Sequence, residues 1–387
     1  MWALYGVGTV NSMVKDRFDI DIDICGACTL RCPSCPQGNV KEYRLPQGFM
    51  DPELLARIVA KAQSECRRPN VSLFNWAEPL LHPRLPELVG VVQGAGVPCH
   101  LSTNLDILPD ADALMAANPA SLRISTSGFS QEMYGRTHRG GNVERIKEHM
   151  IELADAKRRN RAATDIFVHY HRYRHNLKEE PLLREFVTDL GFHFHAVWAL
   201  FFPLEKVLAY AGEEIQNFPL TAEDLEIIDC LALPLREALE TARNYKDRPC
   251  SLREDAISVD FRGNLTLCCG VFDARQYTVA NYLDRPLAEI QKIRQNHPLC
   301  EICMRQGAHV YMTSGLGEMD ELVLANLNPD DVEGLDLHSQ LAWERRQERL
   351  SKLYDRFFSG VFSPAQKAVL VERFYRVQSF LSKLRRQ

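Results

Sequence analysis

Between residues 18 and 198 the chain changes its hydrophobic period again and again. Short apolar segments read as strands at Phe18–Ile24, Val71–Phe74, Pro98–Ser102, Leu122–Thr126, Asp165–Tyr170 and His193–Trp198. The first alternates strictly, with Phe18, Ile20, Ile22 and Ile24 set against Asp19, Asp21 and Asp23. Helical spacing fills the gaps. Asp51 reads as an N-cap with Pro52 at the first helical position, and Leu54, Leu55, Ile58, Val59 and Ala62 form one apolar face. Residues 142–158 and 179–190 read the same way. Strands alternating with helices at this spacing predict βαβ units. The expected class is α/β, with a parallel sheet or barrel.

The pattern breaks after about residue 200, and residues 201–249 carry no clear period. From Cys250 onward, Ala256–Asp260 and Leu265–Leu267 flank Phe261-Arg262-Gly263-Asn264, a hairpin signature. The tail reads as two helices. One runs over His338–Phe358; the other follows Ser363 and Pro364 with Leu370, Phe374, Val377, Leu381 and Leu384 on one face. The expected division is a barrel at 1–205, a connecting segment at 206–249, a small cysteine-bearing domain at 250–318 and a helical extension at 319–387. Residues 336–387 hold 11 Lys/Arg against 5 Asp/Glu, so these helices either dock on the acidic remainder or meet a membrane surface or an acidic partner. The whole chain has a net charge of -5, which gives no general basic surface for nucleic acid. No run of about 18 apolar residues exists to span a membrane. Met1–Lys15 lacks the order of a signal peptide, so the expected location is the cytoplasm.

Twelve cysteines are many for a reducing compartment, where thiols serve as ligands, catalysts or small apolar packing. Cys66, Cys99 and Cys230 are scattered and read as packing. Cys28-x3-Cys32-x2-Cys35 follows the first strand directly. Three thiolates on one loop can hold three irons of a [4Fe–4S] cubane and leave the fourth open for a small molecule. Cys25 would complete a zinc set, but the two cysteine pairs lie too close for the usual zinc loop, and the order differs from the ferredoxin run. Cys25 is expected to pack. A second group, Cys250, Cys268, Cys300 and Cys303, brackets the hairpin and can enclose one cluster or one structural zinc. Cys269, beside Cys268, is the alternative ligand.

Cys28-Thr29-Leu30-Arg31-Cys32-Pro33-Ser34-Cys35-Pro36 resembles the signature of the radical S-adenosylmethionine (SAM) superfamily. Asn75-Trp76-Ala77-Glu78-Pro79 resembles that family's Gly-Gly-Glu-Pro stretch, with Trp76 and Ala77 replacing the glycines. Ser102-Thr103-Asn104 resembles the third-strand motif, and Ile124-Ser125-Thr126-Ser127-Gly128 the fourth, with Tyr134 and Arg139 following. The resemblance covers about residues 17–310 and implies an α/β fold, a partial parallel (β/α)6-type barrel with a small β-hairpin/helix iron–sulfur domain and a C-terminal helical extension. It implies a SAM-binding [4Fe–4S] cluster on Cys28, Cys32 and Cys35, and SAM contacts from Ala77, Glu78, Ser102, Asn104, Ser125 and Arg139. The second cysteine group resembles the auxiliary-cluster domains called SPASM and, with no cysteine after Cys303, the shorter twitch form. This implies an auxiliary [4Fe–4S] cluster on Cys250, Cys268, Cys300 and Cys303.

The implied activity is reductive cleavage of SAM to a 5′-deoxyadenosyl radical, which takes hydrogen from a substrate, with a flavodoxin- or ferredoxin-type electron donor. One auxiliary cluster fits oxidation of a sugar, aminosugar or cyclitol. A peptide-modifying enzyme (cross-linking or epimerisation) and a non-catalytic electron carrier are the alternatives. On the fifth strand, His169 and His171 lie on the face opposite Ile166, Val168 and Tyr170, and so point toward a barrel interior as candidate proton acceptors.

Overall fold

The computed structural model describes residues 15–313, 317–342 and 344–345. The two predicted C-terminal helices fall almost wholly outside these residues. The chain divides into two compact units, residues 1–333 and 334–387, and the description concerns the first.

Nine strands form one sheet in the order β6-β5-β4-β3-β2-β1-β7-β8-β9. Strands β1 (Lys15–Ile22), β2 (Cys66–Ser72), β3 (Cys99–Thr103), β4 (Ser121–Thr126), β5 (Asp165–Arg172) and β6 (His193–Trp198) are the six expected from the sequence, all parallel to their neighbours. Helices Pro52–Glu65, Leu85–Gly94, Ala111–Ala117, Val143–Asn160 and Glu180–Asp189 connect them. Asp51 caps the first, accepting from the Glu53 N–H, and Asn142 caps the fourth, accepting from the Arg145 N–H.

The main core lies between the sheet and these helices. Ile20, Leu101, Ile124, Val168 and Tyr170 point into it from the strands, and Leu55, Ile58, Leu88, Met150 and Leu183 from the helices. Cys66 and Cys99 sit in this core as apolar packing. The opposite sheet face carries polar side chains and forms the interior of the half-barrel.

The hairpin strands β7 (Ala256–Val259) and β8 (Asn264–Thr266), with β9 (Thr278–Asn281), are continuous with this sheet. β7 lies parallel to β1, and β8 and β9 extend it antiparallel. The segment with no legible period holds helices Leu204–Tyr210, Ala222–Asp229 and Leu235–Arg243. No helix of the described residues is long and apolar enough to cross a membrane.

Candidate functional site

Cys28, Cys32 and Cys35 follow the C-terminal end of β1, on a loop tied down at several points. The Cys35 N–H donates to the Cys32 carbonyl at 3.0 Å, and the Gly38 and Asn39 N–H groups donate to the Cys35 carbonyl. A Cβ on Gly38 would stand 2.2 Å from the Cys32 carbonyl oxygen, so only glycine lets the short helix Pro36–Asn39 fold back so tightly. The Asn39 amide donates to the Pro33 and Phe202 carbonyls, and the Ser34 and Tyr173 hydroxyls are 2.8 Å apart. The Arg31 N–H donates to the Arg139 carbonyl. Arg139 therefore anchors the loop through its backbone, while its guanidinium pairs with Glu223.

Burial pushes the Cys28 thiol up to about 11 and that of Cys35 to about 12, and it raises Cys32 as well. Cys32 also feels the charges of both other thiols. Three reduced thiols are thus gathered where an uncompensated thiolate is costly, which suits soft-metal ligation. The Asn104 amide donates to Cys28 Sγ at 3.4 Å, a contact that favours the thiolate. Among the described residues no three His, Cys, Asp or Glu side chains converge on a point as ligands of a single ion would. Thiolates of a cubane each bind a different iron, so they need not converge.

Behind this loop, the Asp23 carboxylate accepts the N–H groups of Asn75, Trp76 and Ala77 at 2.9–3.1 Å. Burial pushes its pKa up to about 6 despite these donors. Glu78 is buried with both oxygens engaged. It accepts from the Thr103 hydroxyl at 2.7 Å and from the Leu80 and Asn104 N–H groups. Burial raises it to about 7. Glu78 and Asn104 therefore join the turn after β2 and the end of β3 to Cys28.

The indole that replaces a glycine points toward the cysteine-bearing segment. Trp76 Nε1 donates to the Val271 carbonyl at 3.0 Å, and its ring meets Phe202 and Phe272 edge-on. Cys25 packs here too, its thiol donating to the Glu78 carbonyl at 3.3 Å.

Cys250, Cys268, Cys300 and Cys303 line one cavity, with Leu267 and Met312 among its apolar walls. Cys303 feels the charges of the other three. Cys269 does not line the cavity; the charge that acts on it most is that of Asp21, on β1. Four soft sulfur donors on an apolar cavity fit a fully enclosed iron–sulfur cluster.

Arg294, which sequence reasoning missed, lies fully buried beside this cavity. It donates to the carbonyls of Leu252, Arg253, Ala256 and Leu267 at 2.6–3.0 Å. A lone arginine on an amphipathic helix carries no local signal for such a role.

Glu205, on the helix Leu204–Tyr210, was missed as well. Its Oε1 accepts from the Phe272 and Asp273 N–H groups, and its Oε2 is buried without a partner. Burial raises its pKa from the ordinary 4.5 to about 7. Between these values the folded chain holds a proton that the unfolded chain has lost, so stability falls as pH rises and the full penalty is reached above pH 7. Glu205→Gln is expected to leave stability near pH 4 unchanged and to raise it at pH 8 by up to about 3 kcal/mol. Denaturant titrations at the two pH values check this, and equal effects at both would refute it.

On the interior face, Ser125, His169 and His195 are register neighbours across β4, β5 and β6. The His169 ring stacks on His171 at 5.4 Å and on His195 at 5.0 Å. Burial and the charge of Arg123 lower the His171 pKa to about 4, and burial holds His169 well below its ordinary value. Both stay neutral near pH 7. Ser102 faces the same interior, its hydroxyl accepting from Arg123 Nε at 2.8 Å.

No curated protein sequence is similar to the chain. Among solved structures, BtrN in complex with AdoMet and 2-DOIA shares 15% identity over 76% of this chain and 90% of its own, with a TM-score of 0.42. Streptococcus suis SuiB bound to precursor peptide SuiA shares 12% over 74% and 66%, with a TM-score of 0.49. anSMEcpe with bound AdoMet shares 14% over 73% and 82%, also at 0.49. These distant likenesses carry no weight on substrate. Residues 22–179, which hold the cysteine loop and β2 to β5, match the family model described as the radical SAM superfamily. The chain therefore carries a radical SAM domain over residues 22–179.

Proposed function

We propose that the chain is a radical SAM oxidoreductase that removes two electrons from a small polar molecule, a sugar, aminosugar or cyclitol. The observation that carries this reading is the second cavity, lined by Cys250, Cys268, Cys300 and Cys303. With four protein thiols around it, a cluster there has no open iron for substrate and is suited to electron transfer. In this reading Cys250–Cys303 belong to a twitch-type domain of about residues 250–318, beyond a barrel of 1–205 and a connection of 206–249.

Cys28, Cys32 and Cys35 would hold the SAM-binding cluster, and Ala77, Glu78, Ser102, Asn104, Ser125 and Arg139 frame the adjoining SAM site. The chemistry such a cluster supplies when bound is one electron, which splits SAM to methionine and a 5′-deoxyadenosyl radical. The chain's own contribution is to orient SAM and substrate, exclude water and shape the path to the second cavity. A flavodoxin- or ferredoxin-type donor supplies the electron.

His169 and His171 line the substrate space. With pKa values held low, they are hydrogen-bond partners for hydroxyls rather than strong bases. His171→Gln is expected to raise KM several-fold with a smaller change in kcat; unchanged kinetics would remove it from the site. The deciding experiment is anaerobic reconstitution followed by assay of 5′-deoxyadenosine with a panel of sugars, aminosugars and cyclitols. Deoxyadenosine formed together with a ketone product supports the reading. Deoxyadenosine formed only with peptides would turn it to peptide modification, and none under any condition would refute enzymatic SAM cleavage.

A further inference from the structure

Arg123 stands on the interior face of β4, in register with Ser102 of β3 and Phe167 of β5. Its guanidinium lies 4.7 Å over the Phe74 ring, and among the described residues its one hydrogen bond is from Nε to the Ser102 hydroxyl. Among the described residues no carboxylate lies within ion-pair distance of it. Asp21 on β1 is the carboxylate whose charge reaches Arg123; it is held by a hydrogen bond from Ser72 and has Asp19 as an acidic neighbour. Burial lowers the guanidinium pKa to about 10, so it remains a cation near pH 7.

His169 lies on the same face of β5, where it feels the charge of Arg123. Both of its ring nitrogens are buried without a hydrogen-bond partner. A guanidinium with no ion pair in contact and an imidazole whose two ring nitrogens are buried without a partner both cost stability. They stand within electrostatic reach of each other inside one half-barrel, a pattern that a ligand bearing negative charge would complete.

We infer that Arg123 and His169 form a subsite for an anionic group of the substrate, a phosphoryl or carboxylate group. The guanidinium fork can make a bidentate pair with such a group, and the neutral imidazole can add an N–H donor. The substrate is then an acidic or phosphorylated small molecule. The inference rests on reading the barrel interior as the substrate site.

The test is isothermal titration of the reconstituted holoenzyme with inorganic phosphate, malonate and myo-inositol. Saturable binding of phosphate or malonate is expected, weakened at least tenfold in Arg123→Gln, partly restored in Arg123→Lys and weakened several-fold in His169→Gln. Binding of phosphate alone identifies a phosphorylated substrate, and binding of malonate alone a carboxylate. Iron content and circular dichroism show whether each variant has folded.

Three results would overturn the subsite: no saturable anion binding in the unaltered chain, equal anion binding in Arg123→Gln, or a loss in that variant confined to SAM affinity. The last would assign Arg123 to the cosubstrate carboxylate. The titration requires no turnover, so failure of SAM cleavage in the unaltered chain counts against the proposed function alone.

Discussion

Replacing Cys28, Cys32 and Cys35 together by alanine is expected to lower the iron of the anaerobically reconstituted chain from about 8 to about 4 per molecule and to abolish 5′-deoxyadenosine formation. The expectation follows from where the three thiols sit. They occupy one loop at the end of β1, pinned by the Gly38 turn and by the Asn39 amide, and each thiol is raised by burial. No fourth cysteine is placed to substitute, because Cys25 is buried with its thiol turned to the Glu78 carbonyl. Cys25→Ala should therefore keep all of the iron, which makes it the matched control. Iron falling from about 4 to about 0 would mean that the second cavity holds no cluster, and the oxidation reading would lose its electron acceptor. A chain that keeps its iron after the triple change would place the cluster elsewhere and sink the assignment.

Much of the barrel was legible because its signals are local. Period-two strands, Asp51 as a cap, and three cysteines just after the first strand are patterns within a few residues. The segment 201–249 was not legible because its helices are only 7–9 residues long and take their burial from distant partners. There Lys206 donates to both Asp224 and the Asn39 carbonyl in full burial, a tie to the cysteine loop across 167 positions.

The addition of β7 to β1 was likewise invisible, since a parallel pairing across more than 230 residues leaves no mark on either strand. At the site, the alternating pattern set Asp23 among the polar positions of its strand, but that its carboxylate gathers three backbone N–H groups after β2 depends on the fold. The same holds for Arg123, an unremarkable charge inside an apolar strand until the interior face is assembled around it.

The second large effect is expected at Arg294. Its five hydrogen bonds reach four backbone carbonyls and the Gln291 side chain. Two of those carbonyls, of Leu252 and Arg253, follow Cys250, and a third, of Leu267, precedes Cys268. One guanidinium thus sets the spacing of two elements that carry cysteines of the second cavity, and its positive charge lies within reach of Cys250, Cys268 and Cys300. Arg294→Met preserves much of the volume but leaves buried carbonyls unpaired and removes a buried positive charge beside the cysteines, leaving Arg253 as a cation near them. The cost is expected to be about 3–5 kcal/mol, with roughly half of the iron lost on reconstitution. Arg294→Lys should not rescue it, because an ammonium cannot span carbonyls that the planar fork meets from several sides. Chemical denaturation and iron analysis of the two variants provide the check. Full iron retention in Arg294→Met, together with the expected loss of stability, would separate the two roles and leave Arg294 a packing residue with no part in shaping the second cavity.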